Sequence, residues 1–106
     1  MTETVRRAYH FVLSNLDRSE LTVHDLALAV YRSERQFYRE MKDKTGMTPY
    51  QFMQKIRLQQ ARRMAERHKV SSVERLARAV GYHRTDHFVR LFQEAYGIHP
   101  KDLLAP

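Results

Sequence analysis

A tetrapeptide pattern occurs twice in this chain, as Gly46-Met47-Thr48-Pro49 and Gly97-Ile98-His99-Pro100, 51 positions apart. These two places hold four of the six Gly and Pro residues in the chain, so the stretches between them carry few breakers. Within those stretches apolar residues recur at the spacing of one helix face. The rows are Val5, Tyr9, Val12, Leu13 and Leu16; Leu26, Ala27 and Val30; Phe37, Tyr38 and Met41; Phe52, Ile56 and Met64; Leu76, Ala77 and Val80; and Phe88, Leu91, Phe92 and Ala95. No segment alternates with period two for long enough to suggest a strand. The expectation is an all-α fold of about seven helices, near residues 4–17, 23–30, 34–45, 49–68, 72–80, 85–95 and 100–104.

Three helix starts are marked by a hydroxyl three residues ahead of Gln or Glu: Ser33 with Gln36, Thr48 with Gln51, and Ser71 with Glu74. At that spacing the two side chains satisfy each other's free backbone N–H groups. Pro49 follows Thr48 at the first helical position, where its missing N–H costs nothing.

The repeat extends beyond the tetrapeptide. Leu26, Ala27 and Val30 recur 50 positions later as Leu76, Ala77 and Val80, whereas Phe37 and Arg39 recur 51 positions later as Phe88 and Arg90. One residue is therefore inserted in the second turn. Two short helices across a tight turn, with a small residue where they approach, form the helix-turn-helix pattern. On each second helix the apolar face is narrow: Phe37 and Met41 in one copy, Phe88, Leu91 and Phe92 in the other. The first turns carry Arg35, Tyr38 and Arg39, then Thr85, His87 and Arg90, side chains of the kind that read base edges. In a helix-turn-helix the second helix lies in the major groove with its N-terminal turns against the bases.

Charge agrees. Nineteen Lys and Arg against twelve Asp and Glu leave +7, which favours an anionic polymer or surface as partner. Residues 48–69 alone carry six basic groups and one acidic: Lys55, Arg57, Arg62, Arg63, Arg67 and Lys69 are candidates to steer DNA, or to form a solvated basic face. About 106 residues suffice for one domain or two very small ones. With no Cys, disulfides, thiolate metal sites and Cys nucleophiles are excluded. No apolar run reaches the roughly 18 residues of a membrane span, and Asn15, Asp17 and Arg18 interrupt any signal-peptide core. The chain reads as soluble and intracellular.

Catalysis finds little support. His83 and His87 stand four apart with Asp86 adjacent, a zinc-like spacing, but His83 precedes the expected helix and the glutamate of a zinc-protease helix is missing. His24 and Asp25 have no accompanying nucleophile, and no glycine-rich phosphate loop exists. No metal, cofactor or catalytic residue is expected. The rival from another class is a basic helical adaptor module docking an acidic protein or membrane surface through helix 49–68, although the apolar residues there look committed to a core.

The chain resembles the DNA-binding domain of the AraC/XylS family of bacterial transcription regulators. Ser33 through Met41 with Gly46-Met47-Thr48-Pro49 is similar to the family's first helix-turn-helix, and Ile56-Arg57-Leu58 with Ala61 and Arg62 to its linker helix. Ala77 through Tyr82, Phe88 through Phe92 and Tyr96 through Pro100 are similar to its C-terminal signature. The resemblance spans about residues 21–104. It implies an N-terminal helix plus first helix-turn-helix over 1–47, a linker helix over 48–69 and a second helix-turn-helix over 70–106. It further implies sequence-specific double-stranded DNA binding, two recognition helices in adjacent major-groove segments, and transcription regulation, most often activation through RNA polymerase, in the bacterial nucleoid. A linker of about 20 residues is about 30 Å long, close to the roughly 34 Å between successive major grooves on one face of B-DNA. Since the two recognition sequences differ, an asymmetric operator is expected.

Carried over residue by residue, the base-reading positions fall on Arg35, Tyr38 and Arg39, and on Thr85, Asp86, His87 and Arg90, with Val89 near a thymine methyl. Asp86 is repelled by phosphate, so its alternatives are accepting from cytosine N4, orienting an arginine, or favouring the positive end of its helix. Phosphate contacts are expected from Arg32, Lys55 and the helix starts at Thr48 and Ser71. Two departures stand out. Arg32 occupies the turn position filled by Tyr82 in the second copy, and Arg84, where the first copy has Ser33, has no side-chain acceptor to cap its helix. Either the chain is a stand-alone regulator or it is the DNA-binding end of a longer protein with a sensory domain.

Overall fold

The computed structural model describes residues 1–104. Among the described residues there are seven helices and no strand: α1 (Glu3–Ser14), α2 (Val23–Ala29), α3 (Glu34–Thr45), α4 (Pro49–Glu66), α5 (Val73–Ala79), α6 (Thr85–Tyr96) and α7 (Lys101–Leu104). The all-α expectation holds; α1 and α4 end three and two residues earlier than expected, and α2, α5 and α7 are trimmed by a residue at one or both ends. Helix α1 stops at Ser14 because Asn15 closes it, donating its side-chain amide to Phe11 O at 2.8 Å and its backbone N–H to Val12 O at 3.1 Å. Helix α4 stops at Glu66, with His68 beyond it at φ 54°. The chain folds as two units, the first made of Met1–Asn15 and Glu20–Ile56, the second of Leu16–Ser19 and the residues from Arg57 onward.

In the first unit α2 packs against α1 and α3. Val5, Ala8 and Val12 of α1, Leu26 and Ala27 of α2, Phe37 and Met41 of α3, and Phe52, Met53 and Ile56 of α4 are buried. Both reciprocal caps expected here form. Gln36 N–H donates to Ser33 Oγ (3.1 Å) while Ser33 N–H donates to Gln36 Oε1 (3.0 Å). Thr48 and Gln51 do the same at 3.1 and 3.0 Å. A third box, Thr22 with Asp25, opens α2. At the far end of α3, Gly46 takes φ 75° and donates to Lys42 O, and Lys42 and Lys44 complement the negative end of the helix.

In the second unit Leu58, Ala61 and Ala65 of α4 form a buried cluster with Leu76, Ala77, Val80, Tyr82, Phe88 and Phe92. An aromatic row runs through it: Tyr82 to Phe88 at 5.5 Å, Phe88 to Phe92 at 5.7 Å and Phe92 to Tyr96 at 4.9 Å between ring centroids. The start of α5 corrects the sequence reading. Its cap is Ser72, which accepts from Arg75 N–H at 3.2 Å, so Ser71 and Glu74 form no box. Ahead of helix α6 the cap position is Arg84, which makes no side-chain cap bond, as its residue type requires.

The two helix-turn-helix turns are built alike. Arg32 N–H donates to Ala27 O (3.0 Å) in the first and Tyr82 N–H to Ala77 O (2.8 Å) in the second. The residue just before each donor is left-handed: Tyr31 at φ 60° and Gly81 at φ 93°. A tyrosine pays a steric penalty there that glycine does not.

Arg57 overturns its reading as a DNA-steering or solvated cation, for it is 4 % exposed. Its guanidinium donates to Val80 O (2.9 Å), Arg18 O (2.9 Å) and Leu16 O (3.4 Å), all within the second unit, and lies 5.9 Å from the Tyr82 ring centroid. A buried cation persists only when its donors are satisfied, and here the chain segment Leu16–Ser19 and the end of α5 supply the acceptors. Gly81 makes room, because a Cβ on it would overlap the guanidinium and sit 2.6 Å from Leu16 O.

Candidate nucleic-acid interface

Burial sorts each recognition helix into an anchoring face and an outward face. On α3, Phe37 and Met41 are fully buried, while Arg35, Tyr38 and Arg39 are exposed, Tyr38 at 49 %. On α6, Phe88 and Phe92 are fully buried and Leu91 partly so; Asp86 and Arg90 are exposed, and Thr85 and His87 half-buried. Burying one such large apolar side chain is worth roughly 1.5–3 kcal/mol, so the anchoring faces hold each helix by apolar contact and leave the polar rows free of structural duty. Val89 packs partly against the second core, which leaves less of it for a thymine methyl.

The two rows differ in how their side chains are held. Among the described residues, none forms a hydrogen bond or ion pair with the side chains of Arg35, Tyr38 or Arg39. On α6 the outward groups are paired. Arg84 Nη2 donates to Asp86 Oδ2 at 2.8 Å, and this bond holds the Asp86 carboxyl below the usual carboxylate range. Asp86 thus pairs with Arg84 and also stands in the first turn of α6, at the positive end of that helix. Arg90 Nη2 lies 2.9 Å from His87 Nδ1.

The phosphate candidates are dispersed. Arg32 is exposed and pairs with Glu40 (3.4 Å), beside a shallow depression that it lines with Gln36, Arg39, Glu40 and Asp43. Lys55 is exposed on α4. Thr48 is engaged in its capping box, which occupies the N–H groups of Thr48 and Gln51. Ser71 is exposed one residue ahead of the true cap. Of the basic groups on α4, Arg62 is spoken for, lying 4.7 Å over the Tyr96 ring and 3.4 Å from Glu66; burial pushes the Tyr96 phenol up.

Among the described residues no three His, Cys, Asp or Glu side chains gather as a metal site, and His83 lies ahead of α6 rather than on it. His24 faces Glu34 at 3.3 Å. No helix among the described residues is long and apolar enough to cross a membrane. Sequence reasoning missed the burial of Arg57 and the contact between His87 and Arg90, while the pairing of Asp86 with an arginine was one of its three alternatives. A signal for Arg57 existed, since it stands between Ile56 and Leu58 on a helix whose buried residues surround it.

Comparison with known proteins places this arrangement. Residues 16–105 match the family model described as a helix-turn-helix domain. The transcriptional activator RhaS of Escherichia coli O1:K1 is 35 % identical over 71 residues, which are 67 % of this chain and 25 % of that protein. The match thus spans about a quarter of that relative's length. Among solved structures, the DNA-binding domain of AdpA, a global transcriptional factor in complex with a target DNA, is similar at 26 % identity and TM-score 0.84, over 95 % of this chain and 89 % of that one. The C-terminal domain of AraT, a response regulator from Geobacillus stearothermophilus, shares the fold at 24 % identity and TM-score 0.85, over 97 % and 84 % of the two chains.

Proposed function

Since the chain belongs to the AraC/XylS type of the helix-turn-helix domain family, we propose that it binds a specific duplex DNA site and regulates transcription without catalysing a reaction. The observation that carries this reading is the duplicated division of labour in α3 and α6, where buried Phe37 and Phe88 anchor helices whose outward first turns are polar and basic. In each copy that outward turn is the part a helix-turn-helix presents to base edges. Arg35, Tyr38 and Arg39 read one major-groove segment; Thr85, His87 and Arg90 read another, with Asp86 acting through Arg84. Arg32, Thr48, Lys55 and Ser71 contact phosphates, which fixes register without carrying sequence information. Regulation is activation through RNA polymerase, a reading supported by the activator RhaS among the relatives. It takes place in the bacterial cytoplasm, and the short coverage of that relative favours a companion sensory domain in the parent protein.

Selection of bound duplexes from a random pool at two salt concentrations tests the reading. An enriched, asymmetric two-part motif is expected, with a slope of log affinity against log salt of about −5 if about six phosphates are engaged. Binding without any enriched motif would instead indicate a basic adaptor surface.

A further inference from the structure

Resting on the reading just given, we infer that His87 and Arg90 form one recognition element whose outward polar groups are all donors, so that it selects base edges presenting acceptors and rejects amino groups. The argument starts from the 2.9 Å contact between Arg90 Nη2 and His87 Nδ1. A guanidinium has five N–H donors, no acceptor, and keeps its proton in proteins. His87 Nδ1 is therefore the acceptor, and the single proton of the neutral imidazole sits on Nε2. The far nitrogen of His87 thus offers an N–H, as does every remaining nitrogen of Arg90.

In the major groove, guanine N7 and O6, adenine N7 and thymine O4 accept, whereas cytosine N4 and adenine N6 donate. A donor-only pair meets the first set and clashes electrostatically with the second. The pair is also held in place: the Tyr82 ring meets the imidazole at 6.0 Å and 68°. The neighbouring charges, Arg84 and Asp86, are bonded to each other. The Arg35 and Arg39 side chains on α3 have no comparable bond among the described residues. The half-site under α6 is accordingly read with more fixed demands than the half-site under α3.

Two experiments test this. Long-range proton–nitrogen NMR of the free protein, at a pH well above the ordinary imidazole range, should find His87 Nε2 protonated and Nδ1 bare; a proton on Nδ1 overturns the inference. Duplex selection should then be run with the parent, His87→Ala and Arg90→Ala. Each substitution is expected to relax the preference at both α6 positions, about tenfold or more at its own base, since each residue sets the other's geometry. Preference in the α3 half should persist in both variants, which certifies that they fold. If the two variants relax separate single positions, or if the base facing His87 proves to be a cytosine contacted through N4, the coupling is refuted while DNA reading stands. If the parent enriches no motif, the reading of function falls first.

Discussion

Replacing Arg57 with Met keeps most of the side chain's length and apolar stem but removes every donor, leaving Val80 O and Arg18 O without the bonds they accept at 2.9 Å. A hydrogen bond from a charged donor is worth about 1.5–3 kcal/mol, so two of them amount to about 3–5 kcal/mol once imperfect geometry is allowed for. The third, at 3.4 Å to Leu16 O, adds little. Swapping a buried ion pair for apolar groups is often neutral, but here the acceptors are main-chain carbonyls and cannot be swapped out. Against a total of about 5–15 kcal/mol for a chain this size, the loss is large. Thermal unfolding followed by circular dichroism should show the midpoint lowered by more than about 12 °C. Amide exchange should locate the weakening in α5 and α6 rather than in α2 and α3, because the carbonyls of Leu16, Arg18 and Val80 belong to the second unit. Arg57→Lys should recover only part of the stability, since one ammonium cannot bridge two chain segments as a fork does. The reasoning fails if Arg57→Met unfolds within about 1 kcal/mol of the parent and merely lowers the salt slope of DNA binding by about one, the signature of a phosphate contact.

Three further outcomes are expected. Gly81→Ala should destabilise by at least about 2 kcal/mol, from left-handed strain and overlap with Arg57, while Tyr31→Gly at the equivalent turn position should shift stability by less than about 1 kcal/mol, strain relief offsetting chain entropy; equal effects in urea titrations would contradict this. Arg39→Ala and Arg90→Ala should each weaken specific DNA binding by about 1–3 kcal/mol and relax base preference; variants that change only salt sensitivity would refute direct readout. Hydrogen bonds from Arg6 and then Arg7 hold the Glu3 carboxyl down to about 2 from its ordinary 4.5. This depressed carboxylate contributes stability that is present above the ordinary value and lost as pH falls toward 2. A carboxyl NMR titration of Glu3 with its midpoint near 4.5 would show that the bonds do not persist in solution.

Most of the helical framework was readable because its determinants are local. Ser33 with Gln36 and Thr48 with Gln51 lie within one turn of each other, and the Phe37 and Phe88 registers follow from helical period alone. The start of α5 was misplaced because two serines stand side by side. A glutamate three residues after Ser71 suggested a box, yet the helix begins one residue later and leaves Arg75, which cannot reciprocate, at that position. Arg57 offered only its place between Ile56 and Leu58 as a signal, for a different reason. Its partners lie 23 to 41 residues away in sequence and are carbonyls, which no residue type advertises. The α6 pairs are short-range, but composition does not tell whether neighbouring Arg, Asp and His side chains turn toward each other or toward solvent.

The backbone enters the first unit, crosses into the second for Leu16–Ser19, returns to the first, and leaves it again after Ile56. A single scission after Ile56 therefore keeps every residue of the first unit on one fragment but strips the second of Leu16–Ser19. A fragment beginning at Pro49 would lack the carbonyls of Leu16 and Arg18 that receive the Arg57 guanidinium, so anyone seeking a minimal one-motif reader from this molecule must graft that tetrapeptide back on or redesign the arginine.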